Sequence, residues 1–290
     1  MQVAEGFQRW LFRTGPTWPL ALCRIIWAVA MLLTTLHESG MAELYSSSQY
    51  HVPLLSFIGP VDKFAYNGLM LLAAVGGGLT LLGWCTRLGI ALVLLPLGYV
   101  FALDLLLFRN HLYLGLLLGA LLWTAPCSDT WSLNAWLKRR RGVLASTTGS
   151  LAGAQLIKAQ ILIVYGYSVV NKLRRPFLDG FVLERELETA LRSSPLRALF
   201  FDARGAVVQS VEGVLHSPSA LAVVAVLVVS AEALLTIGLP SRRLRPFAVA
   251  VGLSLHAGIF LTMGIYIFGL LMVSSYALFF DFSRKQTAAV

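Results

Sequence analysis

Charge is scarce in this chain. Only 13% of its 290 residues are Asp, Glu, Lys or Arg, where a soluble domain carries about 25%. With 57% hydrophobic residues and a mean hydropathy of +0.75, that shortage excludes a soluble enzyme, a disordered chain and a secreted disulfide scaffold. Cysteine is scarce too: Cys23, Cys85 and Cys127 form no CxxC pair and no zinc spacing, so no disulfide framework is implied. Acidic residues are the rarer sign, 14 against 23 Lys and Arg, for a net charge of +9. The basic residues sit between apolar runs, which points to membrane topology and anionic lipid rather than nucleic acid. No internal repeat or low-complexity tract is evident, and no soluble domain is expected at either end.

Long apolar runs are plentiful. A spanning helix needs about 20 mostly apolar residues. Candidates run from Trp18 to Leu36, Phe64 to Trp84, Leu88 to Leu107, His111 to Ala125, Leu151 to Lys172, Ser219 to Leu239, Leu244 to Leu261 and Gly264 to Phe280. The expected fold is therefore all-α, a polytopic helical bundle of about eight spans forming one domain over 1–290. No alternating ten-residue pattern suggests a barrel. Arg24 interrupts the first run and no clean small-x-small site follows, so that run reads as a retained span, not a signal peptide. Very short joints make spans three and four, and seven and eight, antiparallel hairpins.

Basic residues orient the bundle. Arg9 and Arg13, Arg87, Lys138 to Arg141, Arg242, Arg243 and Arg245, and Arg284 and Lys285 fall on one side if the spans alternate. That side is cytoplasmic. Segments 1–17 and 281–290 are then cytoplasmic, and 37–63 and 173–218 are extracytoplasmic. Within the last of these, Phe181 to Leu191 and Pro195 to Phe201 read as amphipathic pieces at the outer face.

Ionisable groups in hydrocarbon are costly unless paired. Counted by helical rise from the span ends, they fall into two layers. Arg24, Lys158 and Glu232 form an inner layer, expected as a structural ion-pair cluster with Gln160 nearby. Glu38, Asp104, Asn110, His111, Lys172 and His256 form an outer layer beneath the long outer segments. A polar cavity near one membrane face suits proton chemistry on a lipid-soluble substrate. Each member also has a plainer role. Lys172 can snorkel to the interface, His111 can bond a loop, Asp104 can cap or pair with Arg109, and His256 can be a satisfied core histidine. A haem pair at His111 and His256, or a metal on Glu38, His37 and His51, matches no familiar spacing, so no metal is expected.

Three strings carry a family resemblance. DLLLFRNHLYLG (Asp104 to Gly115), QILIVYGYSVVNKL (Gln160 to Leu173), and the stretch from His256 to Phe268, a histidine followed by a Gly-interrupted aromatic hairpin, resemble the membrane domain shared by vitamin K-dependent γ-glutamyl carboxylases and their bacterial relatives, the HTTM family. Arg24, the acidic turn His37–Gly40, the WSLNAW string at Trp131–Trp136 and the order of spans agree, so the resemblance covers nearly the whole chain. It implies that Lys172 deprotonates a reduced naphthoquinone (a menaquinone or vitamin K hydroquinone). The anion then reacts with O2, and the oxygenated product takes a proton from substrate and leaves as epoxide, with CO2 as a further reactant in the carboxylases. Lys172 and His111 are thus the catalytic candidates. Asn110, Tyr165, His256, Asp104 and Glu38 are candidates for binding quinone or substrate. Tyr165 and Lys172 share a face with Lys158, one every seven residues. Burial and the neighbouring Arg174 and Arg175 are expected to keep the lysine uncharged part of the time.

The animal carboxylases carry a lumenal domain after the membrane region and two adjacent lysines where this sequence has Asn171-Lys172. The length resembles the short bacterial members, including the sporulation-delaying-protein B type, which assists maturation of a secreted peptide toxin with partner proteins. Two functions follow: a quinol- and O2-dependent membrane enzyme modifying a substrate such as a peptide, or a non-catalytic membrane partner in maturation or export of a secreted peptide. Transport is the weaker third, without repeats or broken span pairs to support it. The expected partners are membrane lipid and quinone, with a peptide substrate and a separately encoded protein as further candidates. The expected location is a bacterial inner membrane, with the site near the extracytoplasmic face.

Overall fold

The computed structural model describes residues 2–46, 51–144, 146–193, 213, 217–263 and 265–280. Pro195 to Phe201 lies outside them. The chain forms two compact units, one of residues 1–158 with 270–290 and one of residues 159–269.

The first unit opens with α1 (Gln2–Leu11), then α2 (Trp18–Ser39), α3 (Ala42–Ser46), α4 (Lys63–Leu82), α5 (Thr86–Leu103), α6 (Asn110–Thr124) and α7 (Leu133–Arg140). Local chemistry sets these bounds. Pro19 starts α2 where its missing N–H costs nothing. The Asp62 carboxylate accepts from the N–H of Phe64 and Ala65 at the start of α4, and Gly83, in the left-handed region at φ +69°, ends it. α4 and α5 form a tight hairpin because Gly76 meets the carbonyl of Gly89, a close approach that a larger residue would block. Trp27 on α2 is buried and donates its indole N–H to the Gly115 carbonyl of α6 at 2.8 Å. A two-stranded ribbon, β1 (Thr14–Pro16) antiparallel to β2 (Thr148–Ser150), ties the entry of α2 to the segment after α7.

α8 (Ala152–Lys172) carries the chain from the first unit into the second, which continues with α9 (Arg175–Leu178), α10 (Phe181–Ser193), α11 (Pro218–Gly238) and α12 (Arg245–Met263). α11 and α12 pair as a hairpin, and α10 lies against both. Leu183 and Leu187 of α10 bury against Leu221 near the start of α11, where Gly180 also makes a close approach. α13 (Ile267–Ser274) and α14 (Tyr276–Phe279) follow, carrying the chain back into the first unit.

Among the described residues, five helices, α2, α4, α5, α8 and α11, are long and apolar enough to cross a membrane. Their outward faces are apolar, with Leu71, Val75, Leu88, Leu95, Val223, Val226, Leu227 and Ile237 exposed, as a lipid-facing surface requires. The all-α, membrane-type architecture is as expected. Two expected spans, the fourth and the eighth, are short helices. α6 has 15 residues, roughly 22 Å at 1.5 Å per residue. α12 begins at Arg245, one residue after the expected start, and extends to Met263, two residues past the expected end. The last run is broken at Ser275, because the hydroxyls of Ser274 and Ser275 bond back to the carbonyls of Leu271 and Met272 and compete with the helix. The third run stops at Leu103, four residues early, because the Asp104 carboxylate accepts from the Leu106 N–H and turns the chain.

Candidate functional site

In the second unit, Tyr165, Ser168 and Lys172 line one face of α8, three and four residues apart. Each meets a polar partner. The Lys172 ammonium donates to Glu232 Oε1 at 2.6 Å, and the Ser168 hydroxyl donates to the other carboxylate oxygen at 2.9 Å. The Glu232 side chain is 7% exposed and that of Lys172 28%, so the pair is buried at its acidic end and half-open at its basic end. The Phe177 ring lies 5.4 Å below the ammonium, within range of a cation–π attraction. Two turns deeper on α8, the buried Tyr165 hydroxyl shares a 2.8 Å hydrogen bond with His256 Nε2 of α12. His256 Nδ1 is buried and has no hydrogen-bond partner among the described residues. Buried polar atoms are nearly always satisfied, so this nitrogen has hydrogen-bonding capacity left over, beside Gly269. The Phe268 ring stands 6.3 Å from the imidazole and completes an aromatic wall.

The first unit holds a separate polar cluster. Glu38, at the end of α2, is fully buried and takes a forked ion pair from Arg109, with Nη1 to Oε1 at 2.5 Å and Nη2 to Oε2 at 2.8 Å. Arg109 also donates to the Tyr45 hydroxyl at 2.7 Å, and the Tyr66 hydroxyl donates to the Glu38 carbonyl at 3.0 Å. A cavity of about 290 Å³ is bounded by Met41, Leu44, Tyr45, Leu106, Phe108 and Arg109. Burial pushes the Tyr45 phenol up in pKa; Arg109 opposes the rise, and Glu38 and Asp104 add to it. Asp104 meets His51 Nδ1 at 3.3 Å and accepts from the N–H of Leu106 and Val52. Burial alone would raise its pKa, but these donors together hold it below the usual carboxylate range. Asn110 is exposed and His111 half-buried, in the first turn of α6.

The model of the HTTM domain matches residues 12–283. The chain belongs to the HTTM family. No solved structure matches it. The HTTM domain is that of the vitamin K-dependent carboxylases, so this is a membrane carboxylase-like protein, and its apolar helices agree with an integral membrane location.

Within this HTTM chain the structure brings Lys172, Glu232, Tyr165 and His256 into one unit, and Glu38, Asp104, Asn110 and His111 into the other. Two expectations are corrected. Where Glu232 was expected in an ion-pair cluster with Arg24 and Lys158, its carboxylate accepts from Lys172 and Ser168. Arg24 instead donates to the Trp131 carbonyl at 2.5 Å. Of the two roles open to Asp104, it takes the cap, accepting from the Leu106 N–H in the turn at 104–107, and Arg109 pairs with Glu38. Finally, the charge that meets Lys172 is an anion, while Arg174 and Arg175 are exposed.

Sequence reasoning placed Glu232 at the wrong level because it assumed that helix ends are level. Glu232 lies fourteen residues into α11, about 21 Å along it, yet it meets the last residue of α8. α9 and α10 pack against α11, and the Phe177 ring of α9 lies beneath the Lys172 ammonium. Ser168, Tyr45 and the Glu38 partnership of Arg109 were not singled out, and His51, considered only as a metal ligand, meets Asp104 instead. Only Ser168 had a usable signal, since it shares the face of Tyr165 and Lys172.

Proposed function

We propose that this HTTM protein is a membrane enzyme that uses a reduced naphthoquinone and O2 to remove a weakly acidic proton from an acceptor, a peptide being the favoured class. The observation that carries this is the polar stripe of α8: the Lys172–Glu232 pair beside the Tyr165–His256 pair, ending at a buried imidazole nitrogen without a partner. A quinol ring fits such a wall: apolar and aromatic, with a few convergent polar atoms. His256 Nδ1 would hydrogen-bond a ring oxygen, and Phe268 and Tyr165 would flank the ring.

Bound there, a reduced naphthoquinone oxidised by O2 supplies the driving force for the proton abstraction. The side chains handle the protons. Lys172 and Glu232 act as one base. Ammonium with carboxylate, or amine with carboxylic acid, differ only in where one proton sits, and either form accepts one more. Proton uptake by the pair leaves a cation at Lys172, whose half-open end passes the proton to water. Ser168 keeps the carboxylate turned toward the lysine. The Tyr165 hydroxyl orients the imidazole through Nε2, leaving Nδ1 to donate or accept according to the tautomer. Basic residues in the short loops support a site near the extracytoplasmic face with both termini cytoplasmic.

The test uses the full chain in lipid nanodiscs, supplied with vitamin K hydroquinone or menaquinol and O2, with quinone epoxide quantified by chromatography. The wild type forms epoxide, and Lys172→Ala forms none while still unfolding cooperatively, at a midpoint lowered because Glu232 has lost its cation. Unchanged epoxide formation in Lys172→Ala removes the lysine from the mechanism. A wild type that neither binds nor consumes quinol removes the enzyme function and leaves the non-catalytic partner.

A further inference from the structure

Away from these clusters, the first unit holds a cavity of about 540 Å³ bounded by Pro16, Trp18, Thr130, Trp131, Arg139 and Thr147. Trp18 is the first residue of the 22-residue apolar helix α2, so the cavity lies at the depth where a span meets the headgroup layer. Its lining suits that layer. Trp18 and Trp131 pack with ring centroids 5.6 Å apart, and paired indoles are typical of membrane–water boundaries. Arg139 adds an exposed cation, and Thr130 and Thr147 add hydroxyls. Arg139 belongs to a four-residue basic run, Lys138 to Arg141, at the end of α7.

The backbone around it is held in place at a cost. Trp131 sits at φ +49°, in the left-handed region that an indole-bearing residue rarely adopts. Such strain persists only where the surroundings over-determine it. Here the fully buried Arg24 donates to the Trp131 carbonyl, and the Ser132 hydroxyl caps α7 directly after it. The outcome is an exposed indole, 55% accessible, fixed beside Arg139. A buried arginine spent on fixing one carbonyl makes sense if the side chain beyond it has something to hold.

We infer that this cavity is a binding site for one anionic phospholipid, whose phosphate meets Arg139 and the threonine hydroxyls and whose glycerol and upper acyl carbons lie against Trp18, Trp131 and Pro16. Charge complementarity selects the class: a phosphodiester with no compensating ammonium suits a cavity beside four clustered cations, whereas a zwitterionic headgroup brings its own cation into them. The indole walls select a lipid over a free phosphate, because they offer apolar surface that a soluble anion leaves unused.

The experiment is native mass spectrometry of the full chain in neutral detergent. It is titrated with phosphatidylglycerol or phosphatidylcholine of identical acyl chains, and with sn-glycerol 3-phosphate as the headgroup without tails. The first phosphatidylglycerol binds at least about fivefold more tightly than phosphatidylcholine. Arg139→Gln and, separately, Thr147→Val weaken that first equivalent, while Arg140→Gln, which removes the same charge outside the cavity, leaves it within about twofold. All three residues are exposed, so the unfolding midpoint of each variant stays at the wild-type value. Equal losses in Arg139→Gln and Arg140→Gln would mean diffuse attraction to a basic surface and would overturn the site. Displacement of phosphatidylglycerol by equimolar glycerol 3-phosphate would make it a soluble-phosphate site, and equal binding of phosphatidylcholine would remove the charge argument.

Discussion

Replacing Glu232 by Gln tests the central pair most directly, because the amide keeps the shape and one acceptor oxygen but cannot take up a proton. Two effects follow. Removing one partner of a buried ion pair costs about 3–5 kcal/mol when both charges are dry. The Lys172 side chain is 28% exposed, so water recovers part of that, and about 1–3 kcal/mol is expected. Removing a general base lowers turnover by about 10²–10⁴-fold. The two effects separate in a double variant, Lys172→Met with Glu232→Leu. Apolar replacement of a whole buried pair is close to neutral, so the double variant should be more stable than Glu232→Gln and still be inactive. Epoxide formation per folded molecule and the unfolding midpoint in nanodiscs are the measurements. Turnover of Glu232→Gln within about threefold of wild type, at normal quinol saturation, would refute the shared base. Stability losses that simply add in the cycle would refute the coupling.

Tyr165→Phe removes the hydrogen bond to His256 Nε2; a loss of about 1–3 kcal/mol and a raised quinol KM are expected by denaturation and steady-state kinetics. His111→Ala should lower turnover; if only the unfolding midpoint falls, His111 serves the first turn of α6 and not the reaction. Asp104 has a depressed pKa in the folded chain, so its stabilisation is complete above its unfolded value of about 3.9 and is lost as pH falls through the lower folded value. Asp104→Asn should therefore flatten the acid limb of the stability–pH curve and cost about 1–2 kcal/mol at pH 7. Gly83→Ala places a methyl in the left-handed region against Arg24 and Ser132, so a loss of at least about 1–2 kcal/mol is expected, whereas Gly78→Ala, with nothing near it, should be neutral or slightly stabilising.

Apolar run length and helical periodicity were enough to read the membrane-type helices, the close pairing of the third and fourth runs and the shared face of Tyr165 and Lys172, because these depend on neighbours within a few residues and on the cost of placing backbone polar groups in lipid. The helix starts at Trp18, Asn110 and Ala152 lie within one residue of the positions read from the chain. Which charges meet was a different matter. Glu232, well along α11, meets Lys172 at the end of α8, and Arg109 joins Glu38 because a turn has already engaged Asp104. Both outcomes depend on how far each helix slides along its neighbour, and the hydrophobic pattern is nearly blind to that sliding, since shifting an all-apolar helix by a turn changes little of what its lipid-facing side meets. Packing between elements distant in sequence sets that offset, and the ion pairs, with the reactivity they carry, follow from it.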